Sequence, residues 1–175
     1  MGKNSNFPRN KRDFYPTPAS AVTPLIRHLD KIAIYDEPCA GDGELISHLG
    51  EAGLHCVFAG DIEPLGIGIK KQDALKISRC GGDCFITNPP WTREILHPLI
   101  LHLSVIAPTF FLMDAAWAHT KQAIPYLKYC QKIISVGRVK WIADSPYSGK
   151  EDAAWYLFDQ THLPVEIKFF GRCDV

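Results

Sequence analysis

The clearest candidates for chemistry in this sequence are the residues Asn88-Pro89-Pro90-Trp91, which follow the short apolar run 84–87. Two adjacent prolines fix φ and remove two backbone donors, so their carbonyl groups project rigidly. The Asn88 side-chain oxygen and a proline carbonyl can accept hydrogen bonds from an amine, and the Trp91 indole can stack on a flat ring. The tetrapeptide therefore predicts a site for a planar ring that carries an amino group.

A second candidate site is the turn 36–43, which follows an apolar run and leads directly into a helix. Gly41 and Gly43 permit a tight turn and a close approach of the backbone to a ligand. The turn lacks the third glycine of a dinucleotide fingerprint and the Gly-Lys-Ser/Thr of a phosphate-binding loop. Acids at the strand end favour a cationic or hydroxyl-bearing ligand instead. Asp61 closes the next strand about twenty residues on, where an acid in a dinucleotide-type sheet binds ribose hydroxyls.

Hydrophobic periodicity predicts strands that alternate with helices. The predicted strands cover 31–35, 55–59, 84–87, 108–113, 132–142 and 153–158, and the predicted helices cover 19–30, 44–52, 92–106 and 121–129. Such alternation indicates βαβ units. We expect one doubly wound, Rossmann-like α/β domain with a mostly parallel sheet and an antiparallel C-terminal strand. Ligands in such sheets bind beyond the carboxyl ends of the strands, where both candidate sites fall.

Composition and charge limit the classes of function. The 175 residues are 46% hydrophobic and 22% charged, which is typical of a globular protein. We expect one domain over 13–175 after a basic, flexible segment at 1–12. No apolar run reaches the ~18–20 residues of a membrane span, so we expect neither a membrane anchor nor a secretory signal. The net charge of zero argues against a strong global attraction to nucleic acid, although 1–12 and 132–150 are locally basic.

The six cysteines predict reduced, mostly buried thiols. None forms a Cys-x-x-Cys pair, and only Cys80 and Cys84 are close in sequence. Two ligands from one loop fall short of the four that structural zinc normally needs. We therefore expect no metal, and a cytosolic protein.

The tetrapeptide 88–91 resembles motif IV of the adenine-N6 methyltransferases, (Asp/Asn/Ser)-Pro-Pro-(Tyr/Phe/Trp). The stretch 37–43 resembles motif I of class I S-adenosylmethionine-dependent methyltransferases, which implies S-adenosylmethionine as the cofactor. By this resemblance Glu37 lies near the methionine ammonium group of the cofactor. The ribose would be held by Asp61 or, failing that, by Glu63, and the adenine amino group by Asp73. The remaining motif I residues that the resemblance assigns to the cofactor site are Pro38, Ala40, Gly41 and Gly43.

The stretch 13–18 resembles motif X of the phage-type adenine methyltransferases, in which a Tyr-x-Thr-Pro element folds across the cofactor pocket. By this resemblance Tyr15 and Thr17 contact the carboxylate end of the cofactor. The resemblance therefore extends from this element to the last predicted strand, over about 13–158.

The segment 137–141 is similar to a basic-aromatic segment that packs near the flipped base in phage-type enzymes. Trp141 is therefore the candidate for a second stacking surface beside Trp91. Arg138 and Lys140 are the candidates for holding the nucleic-acid backbone.

The resemblance implies transfer of a methyl group from S-adenosylmethionine to the N6 amine of adenine in DNA, with 88–91 as the catalytic residues and the base flipped out of the duplex. Asn88 Oδ1 and the Pro89 carbonyl would accept hydrogen bonds from the amine. Methylation of adenine in RNA or of a glutamine amide in a protein stays open, as does a non-catalytic subunit or binding module. The resemblance also implies a phage or bacterial cytoplasm as the setting.

The sequence departs from restriction-system methyltransferases in one respect. It leaves no room for a separate target-recognition region, because the predicted fold uses nearly the whole chain. Any selectivity for a target sequence would have to come from short loops such as 143–152.

Overall fold

The computed structural model of the protein describes residues 15–142, 149–163 and 166–172. Within these ranges eight strands form one sheet, with helices and short turns between them. The strands are β1 (Ile34–Glu37), β2 (His55–Asp61), β3 (Lys70–Lys71), β4 (Cys84–Thr87), β5 (Thr109–Asp114), β6 (Cys130–Arg138), β7 (Asp152–Phe158) and β8 (Lys168–Phe170). The α-helices are α1 (Ala19–Ile26), α2 (Glu44–Glu51), α3 (Arg93–Ile106) and α4 (Ile124–Leu127). Short 3-10 helices cover Ala74–Lys76, Ala115–His119 and Lys121–Ala123.

The strand order is β3-β2-β1-β4-β5-β7-β6-β8. Strands β1 to β5 pair in parallel, β7 runs antiparallel between β5 and β6, and β8 pairs in parallel with β6. The order reverses at β1, which lies between β2 and β4. The loops after β1 and β4 therefore flank the crevice in which open α/β sheets bind ligands. The predicted doubly wound α/β fold is confirmed, and its antiparallel strand is β7.

Helices cover both faces of the sheet. Helices α1 and α2 bury a cluster against one face that includes Leu25, Leu49 and Trp155. Helix α3 buries a second cluster against the other face, with Leu99 and Phe111 among its members. The two clusters hold the central strands rigidly, so the loops at the strand ends start from fixed positions.

The two central strands differ in composition. All four residues of β4 are buried, as expected for a parallel strand that is covered on both faces. Strand β1 is equally central, yet its last two residues, Asp36 and Glu37, are only 2% and 1% exposed. Buried carboxyl groups are costly unless they meet partners. The end of β1 therefore departs from the apolar composition that is usual for a parallel strand buried on both faces.

Several predicted elements differ in their bounds. The predicted helix 121–129 is a 3-10 helix followed by the short α4, because Pro125 at the start of α4 has no N–H to continue a longer helix. The predicted helix 19–30 ends at Ile26, two residues after an internal proline. The predicted strand 132–142 ends at Arg138, just after a register shift at Gly137, whose φ is +85°. Strands β3 and β8 were not predicted, since two and three residues are too short to show a period.

Some predictions fall on residues that the structure does not describe. The basic segment 1–12 lies outside the described residues, as do Asp13 and Phe14 of the Tyr-x-Thr-Pro element and 143–148 of the loop 143–152. Among the helices of the described ranges, none has the length and apolar character needed to cross a bilayer.

The indole of Trp155 joins α1 to the sheet, because its nitrogen donates a 2.7 Å hydrogen bond to the Ala21 carbonyl while the ring is fully buried. Trp155→Phe removes this bond and part of the buried volume. We expect a loss of about 2–4 kcal/mol in the free energy of unfolding, measured by urea denaturation. Val105→Ala, on the exposed side of α3, is the control and should change stability by less than about 0.5 kcal/mol. Equal effects of the two changes would contradict the structure.

Candidate active site

The loop after β4 begins where backbone pairing gives way to side-chain hydrogen bonding. Strand β4 pairs with β5 as far as Thr87. Pro89 and Pro90 then have no N–H with which to continue the ladder. The Trp91 indole nitrogen instead donates a 3.0 Å hydrogen bond to the carbonyl of Leu112 in β5. The ring of Trp91 is thereby fixed, half-buried against the core.

The Asn88 side chain is held by the segment that precedes α1. Its Nδ2 atom donates to Thr17 Oγ1 at 3.0 Å and lies 3.5 Å from the Tyr15 carbonyl oxygen. A carbonyl oxygen can only accept, so the amide nitrogen must face this segment. Oδ1 consequently turns away from it, and among the described residues no hydrogen-bond donor contacts Oδ1. This is the orientation that an acceptor for a ligand amine requires.

Three aromatic rings meet beside this loop. Trp91 and Trp141 are in edge-to-face contact, with ring centroids 5.6 Å apart, and Tyr15 lies 6.4 Å from Trp141. Gly149 closes the base of the β6–β7 connection by donating to the Val139 carbonyl, and a Cβ at Gly149 would lie 3.2 Å from the Trp141 ring. The two predicted stacking residues are therefore brought together as one aromatic surface. Their rings meet edge to face, so a flat ring could stack on one of them but could not lie between the two.

The two basic residues beside Trp141 are exposed. Arg138 lies 3.9 Å from Asp152 across the β6–β7 pair, and both side chains are more than 60% exposed. Such a pair contributes little to stability. Lys140 is exposed as well. Both side chains thus face solvent.

The glycine turn after β1 is held by backbone contacts on two sides. Ala40 donates to the Gly60 carbonyl at the end of β2, and Gly43 donates back to Ala40. Gly43 has a φ of +92°, which favours glycine. Pro38 and Ala40 are buried beneath the turn. The turn is therefore a preformed floor rather than a free loop.

Asp61 ties this turn to the end of β2. Its Oδ2 accepts a 2.8 Å hydrogen bond from Gly41 N–H, and its Oδ1 accepts a 2.7 Å bond from Glu63 N–H. Each carboxylate oxygen can accept a further bond. Asp61 thus has a structural role that the sequence analysis did not foresee, and it keeps acceptor capacity for a hydroxyl group.

Glu37 places a carboxyl group in the interior at the end of β1. It is 1% exposed, and its Oε2 meets no hydrogen-bond donor within the described part of the chain. Burial, together with the carboxyl groups of Asp61 and Asp42, raises the pKa of Glu37 well above its usual range. A cationic donor would remove this penalty, so the chemistry of Glu37 fits an ammonium group.

Asp73 caps the 3-10 helix that follows it, since its Oδ1 accepts a 3.0 Å bond from Leu75 N–H. This is the helix-start role that its sequence context suggests, and a role toward an adenine amino group stays a prediction.

Two residues near the glycine turn were not predicted from the sequence. A Cβ at Gly66 would collide with the Asp42 carbonyl oxygen, so only glycine lets the 62–69 loop close on the turn. Ile62, directly after Asp61, is a large apolar residue that is 53% exposed.

The described cysteines are all free thiols: Cys39, Cys56, Cys80, Cys84 and Cys130. Within the described ranges, no three His, Cys, Asp or Glu side chains converge as a metal site would require.

No protein-family model and no curated protein sequence matches this chain. Solved structures match its fold. A proposed RNA methyltransferase from Pyrococcus horikoshii has a TM-score of 0.57 and 16% identity, over 90% of this chain and 93% of that chain. A proposed class I S-adenosylmethionine-dependent methyltransferase from Listeria monocytogenes has a TM-score of 0.59 and 12% identity, over 93% of this chain and 67% of that one.

The M protein of the type I restriction enzyme EcoKI also matches, with a TM-score of 0.56 and 10% identity, over 82% of this chain and 43% of that chain. This chain thus corresponds to less than half of the EcoKI protein. At such low identities the likeness concerns the fold. The chain has the class I methyltransferase fold.

The buried Glu37 carboxyl predicts a dependence on pH. Because its folded pKa is raised, the neutral form stabilises the fold, and stability falls as the pH rises from about 4.5 through that raised pKa. Glu37→Gln should unfold at the same or a higher temperature than the natural protein at pH 8, with the difference shrinking at acidic pH. If Glu37 receives the ammonium group of S-adenosylmethionine, as the sequence predicts, the affinity of Glu37→Gln for that cofactor, measured by calorimetry, should fall about 10-fold or more. A variant that melts much earlier at pH 8 would contradict this account of Glu37.

Asp61 bonds the end of β2 to the glycine turn, so Asp61→Ala should loosen that turn. If the turn holds S-adenosylmethionine, the cofactor predicted from the sequence, its affinity should fall by about 10-fold or more. Calorimetric titration measures the effect. Glu63→Ala is the matched control, because it removes the neighbouring acid and keeps both acceptors of Asp61; its affinity should stay within about 3-fold. A larger loss in Glu63→Ala than in Asp61→Ala would assign the ribose contact to Glu63.

Proposed function

We propose that the protein transfers a methyl group from S-adenosylmethionine to the N6 amine of adenine in DNA. The observation that carries this proposal is the orientation of the Asn88 amide, directly after β4. Its Nδ2 is bonded to Thr17, and its Oδ1 is left as an acceptor. An acceptor at that position suits an exocyclic amine. The fold, which is that of class I methyltransferases, supports the same reaction class.

The residues of the crevice fit the cofactor. The unpartnered oxygen of Glu37 would receive the methionine ammonium group, and Asp61 would accept from the ribose hydroxyls. The glycine turn would lie beneath the methionine portion. Tyr15, Thr17 and Asp73 complete the set that the sequence resemblance assigns to the cofactor. S-adenosylmethionine supplies a sulfonium methyl group that is already activated for transfer to nitrogen.

The chain's own contribution is to position and polarise the amine. The lone pair of the adenine amine is delocalised into the ring, so the amine is a weak nucleophile. Hydrogen bonds from the amine to Asn88 Oδ1 and the Pro89 carbonyl favour a more tetrahedral nitrogen. Asn88 and Pro89 would hold this nitrogen in line with the activated methyl group. As the nitrogen–carbon bond formed and the carbon–sulfur bond broke, the extra proton on nitrogen would pass to solvent water. Positioning of this kind can account for most of the rate enhancement.

The substrate would reach the site as an unstacked base. Extrusion from a duplex costs a few kcal/mol, and stacking on an aromatic side chain returns roughly 1–3 kcal/mol. Trp91 and Trp141 form the aromatic surface beside Asn88. Arg138 and Lys140 are exposed next to it and would contact phosphates.

Adenine in RNA is the second candidate substrate. One of the matching structures, that of a proposed RNA methyltransferase, is covered over 93% of its length and is therefore a chain of similar extent. The EcoKI M protein, by contrast, is more than twice the length that this chain covers. A glutamine amide could meet the same acceptors, although the large Trp91 face favours a base.

Asn88→Ala removes the acceptor for the amine, and we expect methyl transfer to fall by more than about 100-fold. Affinity for S-adenosylmethionine should stay within about 3-fold, because Asn88 is not among the residues assigned to the cofactor. Initial rates with radiolabelled cofactor and calorimetry on the same preparation measure both quantities. A matching loss of cofactor binding would move Asn88 out of the catalytic role.

The substrate is tested by separate incubations with duplex DNA, single-stranded DNA, RNA and protein extract, each followed by digestion and detection of N6-methyladenine. Label in DNA that depends on Asn88 supports the proposal. Label in RNA or in protein keeps the reaction class and replaces the substrate. No label in any sample, despite measurable cofactor binding, overturns the proposed activity for the isolated chain.

A further inference from the structure

We propose that Thr17 is a positioning residue for the substrate amine, acting through Asn88. The proposal rests on the proposed function and deepens it. The sequence resemblance assigns Thr17 to the cofactor, whereas its hydroxyl lies 3.0 Å from Asn88 Nδ2. The segment 15–18, here called the N-terminal strap, would then serve the substrate pocket.

The strap holds the Thr17 hydroxyl in a fixed place. Thr17 stands between Pro16 and Pro18, so its backbone is confined to extended conformations. Pro18 is also the N-cap of α1, with φ −74° and ψ 153°. Helix α1 is locked to the sheet by its buried face and by the hydrogen bond from Trp155 to the Ala21 carbonyl. The position of the hydroxyl is therefore set by packing of the core.

The hydroxyl decides which way the Asn88 amide faces. Thr17 is only 5% exposed, so water cannot readily replace its hydroxyl as the partner of Nδ2. Without that acceptor, Nδ2 keeps only the longer contact of 3.5 Å to the Tyr15 carbonyl. The amide could then rotate and present Nδ2 to the substrate amine. Two donors would face each other, and the amine would lose its acceptor.

The strap also reaches the aromatic surface. The Tyr15 ring lies 6.4 Å from Trp141, which itself contacts Trp91. One short segment therefore touches both the amide that would accept the amine and the rings that would hold the base. This double contact favours a role of the strap in the substrate pocket over a role in cofactor binding alone.

The test is a comparison of Thr17→Val with Thr17→Ser, using the full chain and the substrate that the wild-type protein labels. Valine keeps the shape and removes the hydroxyl, and serine keeps the hydroxyl. We expect Thr17→Val to lower kcat by about 10- to 100-fold, with KM for S-adenosylmethionine within about 3-fold of the wild-type value. Thr17→Ser should recover kcat to within about 3-fold. Thr23→Val is the matched control, because the Thr23 hydroxyl bonds only within α1, to the Ala19 carbonyl.

A second readout does not need activity. The side-chain amide signals of Asn88 in a ¹⁵N spectrum are identified by their loss in Asn88→Ala. They should shift in Thr17→Val and stay near their wild-type positions in Thr17→Ser and Thr23→Val. Unshifted signals in Thr17→Val would overturn the proposal even if the wild-type protein labels no substrate. A raised KM for the cofactor with an unchanged kcat would also overturn it and return Thr17 to the cofactor site. Melting temperatures of all variants show whether each one is folded.

Discussion

The parallel pairing of β1 with β4 is the constraint on which the candidate site depends. Tyr35 lies opposite Cys84 and Asp36 opposite Phe85, so the two strands end at the same edge of the sheet. The glycine turn after β1 and the Asn-Pro-Pro-Trp loop after β4 are therefore neighbours, although about fifty residues separate them in sequence. Each loop is then held by its own bonds: the turn by Asp61 and Gly60, and the other loop by Leu112 and the N-terminal strap. The candidate site is therefore largely preformed before a ligand binds.

The same arrangement concentrates unfavourable groups at the centre of the sheet. Asp36 and Glu37 are consecutive buried residues at the end of β1, where their side chains point to opposite faces of the sheet. Each has one carboxyl oxygen without a partner among the described residues. Such groups reduce stability, and proteins retain them most often where a ligand needs them. Asp36 is partly satisfied by the Gly81 N–H, whereas Glu37 faces two further acids. The fold therefore holds an acidic, poorly solvated end of the crevice next to an amide and a set of aromatic rings.

Much of this architecture can be predicted from the sequence. Strand β4 was predicted with its observed bounds, and α3 and β5 within one residue, because long or uniformly apolar runs leave little choice. The alternation of elements predicted the fold. Bonds between distant residues could not be predicted, since nothing local links Thr17 to Asn88 or Asp61 to Gly41. The contact of Trp91 with Trp141 could not be predicted either, because it depends on how the β6–β7 connection folds back. Strands β3 and β8 form by pairing with β2 and β6, and their own sequences are too short to show a periodicity.

The hydrogen bond from Trp91 to Leu112 bears on how the fourth position of the Asn-Pro-Pro-aromatic pattern is interpreted. Motif descriptions treat tryptophan, tyrosine and phenylalanine there as interchangeable flat surfaces. In this chain the aromatic residue also satisfies a strand carbonyl that two prolines cannot reach, and phenylalanine has no group that could do so. The identity of the ring is therefore tied to the backbone geometry of the adjacent strand. If the whole tetrapeptide were exchanged between proteins that share the pattern, the outcome would also depend on whether the adjacent strand offers a carbonyl like that of Leu112. The motif itself does not specify this partner.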